Sequence, residues 1–128
     1  MVPTNLRYHK EHEWIRVEGR QATLGISDYA QDALGDIVYV ELPKPGAAVT
    51  AGQEIGEIES TKTTSSLYSP VTGTVVKVNE ELKSRPELIN DAPYEQGWMA
   101  VIELANPAQA EELMTAAQYQ EYLASLKT

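Results

Sequence analysis

Lys62 is the residue of this chain whose type and setting point most directly to covalent chemistry. It is the only basic residue between Lys44 and Lys77, and its neighbours Ser60, Thr61, Thr63 and Thr64 are small hydroxylated side chains that neither cover it nor pair with its charge. An ammonium on a flexible four-carbon stem, set bare at a turn, is well placed for covalent modification. An ordinary solvated lysine on a surface hairpin fits the same residues, and the residues alone leave both readings open. The flanks are those of a hairpin. Glu54-Ile55-Gly56-Glu57-Ile58-Glu59 is strand-like with loose alternation, and Leu67-Tyr68 before Ser69-Pro70 reads as a return strand ending at a turn. Gly56 and Gly73 punctuate the unit where a bulge or a close backbone approach is expected.

Other chemistries find little support. His9 and His12 flank Glu11 and adjoin Glu13, but zinc needs three or four convergent ligands and no further set is offered, so no metal is expected. No phosphate loop, nucleophile elbow or paired-carboxylate pattern is recognisable. With no set of nucleophile, base and orienting residue, the chain is expected to be non-catalytic. The net charge of −9 argues against nucleic-acid binding and favours basic partners. Length, 42% hydrophobic and 23% charged residues are those of a globular chain forming one domain over 1–128. No cysteine is present, so disulfides and thiolates play no part. The first residues lack the apolar core of a signal peptide and no later run spans a bilayer. A bacterial cytoplasmic setting is therefore expected, ahead of a mitochondrial matrix.

The elements around the lysine are mostly strands. Residues 14–17 alternate and residues 21–26 read as their antiparallel return. Ser27 or Asp28 caps a short helix through Leu34, with Gly35 closing it, and a mostly apolar strand follows over 36–42. A weak internal echo relates residues 35–41 to 73–79 and residues 52–58 to 97–103. Two strand-loop-strand units of this kind would bury their apolar faces against each other as a flattened barrel or sandwich, with Lys62 at their junction. Residues 79–93 read as loop or short helix. Asn106-Pro107 starts a helix running to about Met114, and Thr115 with Gln118 forms a capping box for another, whose core stripe is Tyr119, Tyr122, Leu123 and Leu126.

Glu59-Ser60-Thr61-Lys62, with Ser69-Pro70-Val71-Thr72-Gly73 downstream, resembles the lipoyl-lysine segment of the glycine cleavage H-protein family. Glu11-His12-Glu13-Trp14, the stretch from Gly25 to Asp36, Val40-Glu41-Leu42-Pro43 and Tyr94-Glu95-Gln96-Gly97-Trp98-Met99 are similar to the family as well, in order along almost the whole chain. The resemblance implies a barrel-sandwich hybrid of two quasi-repeated units with short helices, and lipoic acid joined by an amide to Lys62. It implies a carrier that takes the aminomethyl group of glycine from a pyridoxal-phosphate decarboxylase to a tetrahydrofolate-dependent aminomethyltransferase, and electrons to dihydrolipoamide dehydrogenase. A lipoate ligase or lipoyl transferase would load it, and a monomer is expected. Glu59 would guide the ligase, and Glu13 would contact the loaded arm. Two departures stand out: Thr61 and Thr63 replace the family's frequent valine and alanine, and Ser66 stands where an acid is common. Alternatives are a lipoyl relay serving other complexes and a binding module with Lys62 unmodified. A biotin carrier fits poorly, because methionines do not flank the lysine, and a 2-oxoacid dehydrogenase domain would carry an acid before it.

Overall fold

The computed structural model describes residues 2–126. Its strands form two sheets, one ordered β1-β2-β3-β9-β8-β5 and the other β4-β6-β7. β1 (Arg7–Tyr8), β2 (Glu13–Glu18) and β3 (Gln21–Ile26) open the chain. The expected first hairpin is β2 with β3, closed at the Glu18 and Gln21 pair by a turn in which Gly19 takes φ 63°. α1 (Asp28–Leu34) is capped by Ser27, whose hydroxyl accepts the Ala30 N–H, and ends at Gly35 with φ 84°. β4 (Ile37–Glu41), β5 (Ala48–Val49), β6 (Glu54–Ser60), β7 (Thr64–Tyr68) and β8 (Gly73–Val78) follow. A 3-10 turn at Glu80–Lys83 and the short α2 (Leu88–Asp91) lead to β9 (Ala100–Leu104). α3 (Ala116–Ser125) closes the described chain.

The internal echo is a real duplication of geometry. β4 pairs antiparallel with β6, β8 pairs antiparallel with β9, and each first strand carries a bulge at the same repeat position, between Ile37 and Tyr39 and between Val75 and Lys77. The two pairs lie in different sheets, which do not close into one barrel. Between the sheets lies a core that includes Ile15, Leu24, Ile37, Val40, Ile58, Leu67, Val75 and Ile102. A second cluster joins Leu6, Tyr8, Trp14, Ala116 and Tyr119, and fastens α3 to β1.

Two expectations at the C-terminus are corrected. The helix expected to run to about Met114 is a 3-10 helix at Pro107–Glu112, capped by the Asn106 side chain on the Ala108 N–H. It stops there because Met114 exchanges both backbone hydrogen bonds with Tyr8, each at 2.9 Å, and such a bridge requires extended backbone. The capping box of Thr115 and Gln118 is present. Tyr119 of the expected stripe is fully buried, while Leu126 lies at the helix end and is exposed. Among the described residues no helix is long and apolar enough to cross a membrane.

Gly56 and Gly73 sit where strands approach without room for a side chain. A Cβ on Gly56 would run into the Glu41 carbonyl, and one on Gly73 into the Glu103 carbonyl. These contacts are backbone and cannot swing aside. Gly56→Ala and Gly73→Ala are expected to lower stability by about 2–4 kcal/mol each. Gly46→Ala, at φ 91° but in open space, is expected to lose about 1 kcal/mol. Urea unfolding of the three variants checks the ordering.

Candidate functional site

Lys62 stands on the turn joining β6 to β7, and the turn is built by Ser60. The Ser60 N–H donates to the Thr63 carbonyl at 2.8 Å, and the Ser60 hydroxyl accepts the N–H groups of Lys62 and Thr63 at 3.2 and 3.1 Å. One short side chain thus satisfies donors that an exposed turn would leave to water. The turn is also tied to its surroundings, because the Thr61 N–H donates to the Asp36 carbonyl at 3.0 Å.

The lysine stem leaves the turn across Gly35. A Cβ on Gly35 would lie 2.9 Å from Lys62 Cε, so the absent side chain makes the path. The ground beneath is held by Asn90 of α2, whose Nδ2 donates to the Gly35 carbonyl at 2.9 Å and whose Oδ1 accepts the Ile37 N–H at 2.8 Å. Lys62 itself is exposed. Among the described residues no carboxylate forms an ion pair with it. The amine is therefore accessible, its stem is directed, and no neighbouring anion holds it.

Glu59 is exposed on β6, opposite both Tyr39 and Thr64, and shares the tip region with Lys62. Glu13 does not. Its carboxylate is 1% exposed, with Oε1 2.8 Å from His9 Nδ1 and Oε2 accepting the Tyr68 N–H at 3.1 Å. Tyr68 is the last residue of β7 and pairs with Glu54, so Glu13 braces the base of the hairpin. Burial raises the Glu13 pKa above the ordinary glutamate value, against the lowering effect of His9 and the Tyr68 N–H. Trp14 beside it is fully buried, its indole N–H shared between the carbonyls of Ile26 and Pro93 at 3.0 Å each. At the position where an acid is common, the Ser66 hydroxyl donates to Glu54 Oε2 at 3.0 Å, which brings a carboxylate beside it from the neighbouring strand.

The two histidines turn away from one another's chemistry. His9 serves Glu13, while His12, at φ 75°, places Nδ1 2.8 Å from the Tyr119 hydroxyl, which is 2.7 Å from Ser27 Oγ. Burial lowers the His12 pKa. This chain of contacts fastens α3 to the cap of α1. Among the described residues no group of three potential ligands is poised for a metal ion. Ser60, Asn90 and the Asp36 carbonyl were not singled out as site groups by sequence reasoning. A serine two and three residues ahead of the donors it serves is a local pattern that identifies the first; nothing local identifies the other two.

Comparison with known proteins bears on this geometry. The family model described as Glycine cleavage H-protein matches residues 6–126. The glycine cleavage system H protein of Bacillus cereus (strain AH820) is 52% identical over 120 residues, 94% of each chain. Glycine cleavage system H protein 4 of Aquifex aeolicus (strain VF5) is 57% identical over 123 residues, 96% of this chain and 72% of that one. The crystal structure of a glycine cleavage system H protein from Mycobacterium marinum superposes with a TM-score of 0.86 at 36% identity, covering 99% of this chain and 100% of that one.

Two measurements probe the built parts. Ser60→Ala removes the acceptor for two turn donors, and trypsin cleavage after Lys62 is expected to quicken about fivefold, as ~1 kcal/mol of easier local opening would give. For Glu13, a raised native pKa means that stability is complete below the ordinary value of 4.5 and is lost as pH rises through the native value. Glu13→Gln keeps an acceptor for the Tyr68 N–H and removes that loss. Its stability relative to the parent is expected to improve as pH climbs from 4.5 and to level off above the native pKa, in urea titrations across pH.

Proposed function

The chain belongs to the glycine cleavage H-protein family, and from that premise we propose that Lys62 carries its lipoyl group. The carrier role in the glycine cleavage system comes with the family. The assignment to Lys62 rests on one observation: an exposed amine, free of ion pairing among the described residues, on a turn locked by Ser60 and Asp36, with its stem crossing a glycine that leaves it room. The ammonium first gives up one proton, which removes the charge and frees the Nζ lone pair. Nζ then bonds to an activated acyl carbon, the bond from that carbon to its leaving group breaks, and a second proton leaves Nζ as the amide forms.

Lipoate, when attached, supplies a disulfide that opens on receiving the glycine-derived carbon and re-forms when its electrons are withdrawn. The protein's own part is positional. The locked turn bounds where the end of the arm can be, which raises its effective concentration at each partner to the order of millimolar. The partners we assign are glycine decarboxylase, the aminomethyltransferase, dihydrolipoamide dehydrogenase and the lipoate ligase or lipoyl transferase. The chain supplies no bond-breaking group of its own in this reading. The bacterial relatives support the bacterial cytoplasm as its compartment.

Glu59, exposed three residues before the lysine, is proposed to orient the attaching enzyme. A role for Glu13 takes a more specific form. Glu13 is 1% exposed with His9 Nδ1 against Oε1 and the Tyr68 N–H on Oε2, so an amine carried on the arm reaches it by displacing His9 while the Tyr68 N–H bond persists. The contact is an exchange of partners inside the structure.

Intact mass and peptide mapping after incubation with lipoate, ATP and lipoate ligase are expected to show one lipoyl increment, on Lys62, and none in Lys62→Arg. A Lys62→Arg protein that still supports glycine breakdown in a reconstituted mixture would overturn the assignment. In Glu13→Ala, loss of the carried amine from the loaded arm is expected to quicken several-fold, and an unchanged release rate removes Glu13 from the function.

A further inference from the structure

We propose that Val38 and Tyr39, with the acidic side chains around them, form the docking surface for the enzyme that acylates Lys62. This rests on the assignment of lipoyl attachment to that lysine. In an even strand, neighbouring side chains face opposite sides of the sheet. The bulge between Ile37 and Tyr39 breaks that alternation, so that Val38 and Tyr39 are exposed in succession, at 53% and 51%, between buried Ile37 and Val40. They are the two most exposed large apolar residues among those described.

Their place relative to Lys62 is set by register. Ile37 pairs with Ser60 and Tyr39 with Glu59, three residues before the lysine. At strand rise this is about 10 Å from the tip. Tyr39 also lines a groove of about 390 Å³ with Leu42, Pro43 and Val78, which extends the apolar surface away from the tip to a far edge of mixed charge, Lys44 and Lys83 with Glu80.

The surrounding charge indicates the partner's chemistry. Asp36, Glu41, Glu57 and Glu59 are all exposed, and Glu41 lies directly across from Glu57. Like charges placed opposite each other on adjacent strands destabilise a sheet, so this rim does not arise from the needs of the fold. An aromatic and aliphatic centre with an anionic rim fits a partner that offers an apolar recess edged with lysine or arginine.

The duplication within the fold provides an internal comparison. The bulge at Val75 and Lys77 is equivalent in position, but there Val76 is followed by Lys77, whose ammonium stands over the Trp98 ring at 5.8 Å. Bulges come with this architecture. Filling one with valine and tyrosine is particular to the copy beside Lys62.

The occupant is the acylating enzyme and not a later partner because of reach. An enzyme acting on Nζ must bring its activated carboxyl to bonding distance of the tip, and an ordinary footprint of roughly 800 Å² around that point takes in residues about 10 Å away. Enzymes that meet the far end of the arm can stand further off.

The test uses the full unmodified chain as substrate for lipoate ligase with ATP and lipoate, with initial rates read by intact mass. Val38→Ser/Tyr39→Ser is expected to raise KM for the chain about tenfold with kcat within about twofold. Tyr39→Phe is expected to keep most of the parent's KM, and Val76→Ser all of it. Urea midpoints near the parent's establish that the substituted chains are folded. A double variant with the parent's KM overturns the proposal. So does one that loads normally but shows a raised KM toward glycine decarboxylase, which would assign the patch to that enzyme. An unsubstituted chain that gains no mass overturns lipoyl attachment itself, and this proposal with it.

Discussion

The hydrogen bond from the Thr61 N–H to the Asp36 carbonyl joins the lysine-bearing turn to the junction of α1 and β4. β6 is already paired with β4 as far as Ser60, and this bond carries the attachment past the end of that ladder onto the turn, which would otherwise be closed only by the contacts of Ser60. With it, the tip shares the rigidity of a junction that Asn90 braces from below through the Gly35 carbonyl and the Ile37 N–H. The direction of the Lys62 stem follows, since Gly35 is the surface it crosses. A flexible side chain on a fixed base samples a bounded volume. A flexible side chain on a flexible base would not.

What could be read from the residues was whatever depends on local pattern. The opening hairpin, the Ser27 cap, the Gly35 stop and the Thr115 capping box are set by contacts within a few positions and are all present. The exposed lysine belongs to the same class, because small hydroxylated neighbours say directly that nothing covers it. The end of the Pro107–Glu112 helix was not legible, because it is set by a bridge from Met114 to Tyr8, more than a hundred residues away. The burial of Glu13 was hidden for the same reason: its partner Tyr68 comes from another sheet. A glutamate beside a tryptophan at a strand start looks solvated until the chain that covers it is in place.

Glu13 also shows how the fold uses an energetically awkward group. A carboxylate removed from water is costly unless its acceptors are filled, and here His9 and the Tyr68 N–H fill them. The result joins the segment before β2 to the end of β7, so the hairpin is held at its base by Glu13 and near its tip by Asp36. These two contacts add to the β4–β6 ladder, which already holds β6 along its length, and extend its restraint to β7 at the base and to the turn at the tip.

The duplicated architecture separates what the fold requires from what the lysine requires. Bulges, paired strands and glycines at close approaches occur in both units, with Gly56 facing the Glu41 carbonyl and Gly73 the Glu103 carbonyl. These features are the cost of closing two sheets over one core and say nothing about function. The units diverge at the surface around the tip: exposed valine and tyrosine, four acids, and an opposed glutamate pair that a sheet selected for stability alone would avoid. An unfavourable contact kept at the surface of an otherwise well-satisfied structure is relieved when a cationic surface meets it. Association with a basic partner therefore gains from a strain already present in the free carrier.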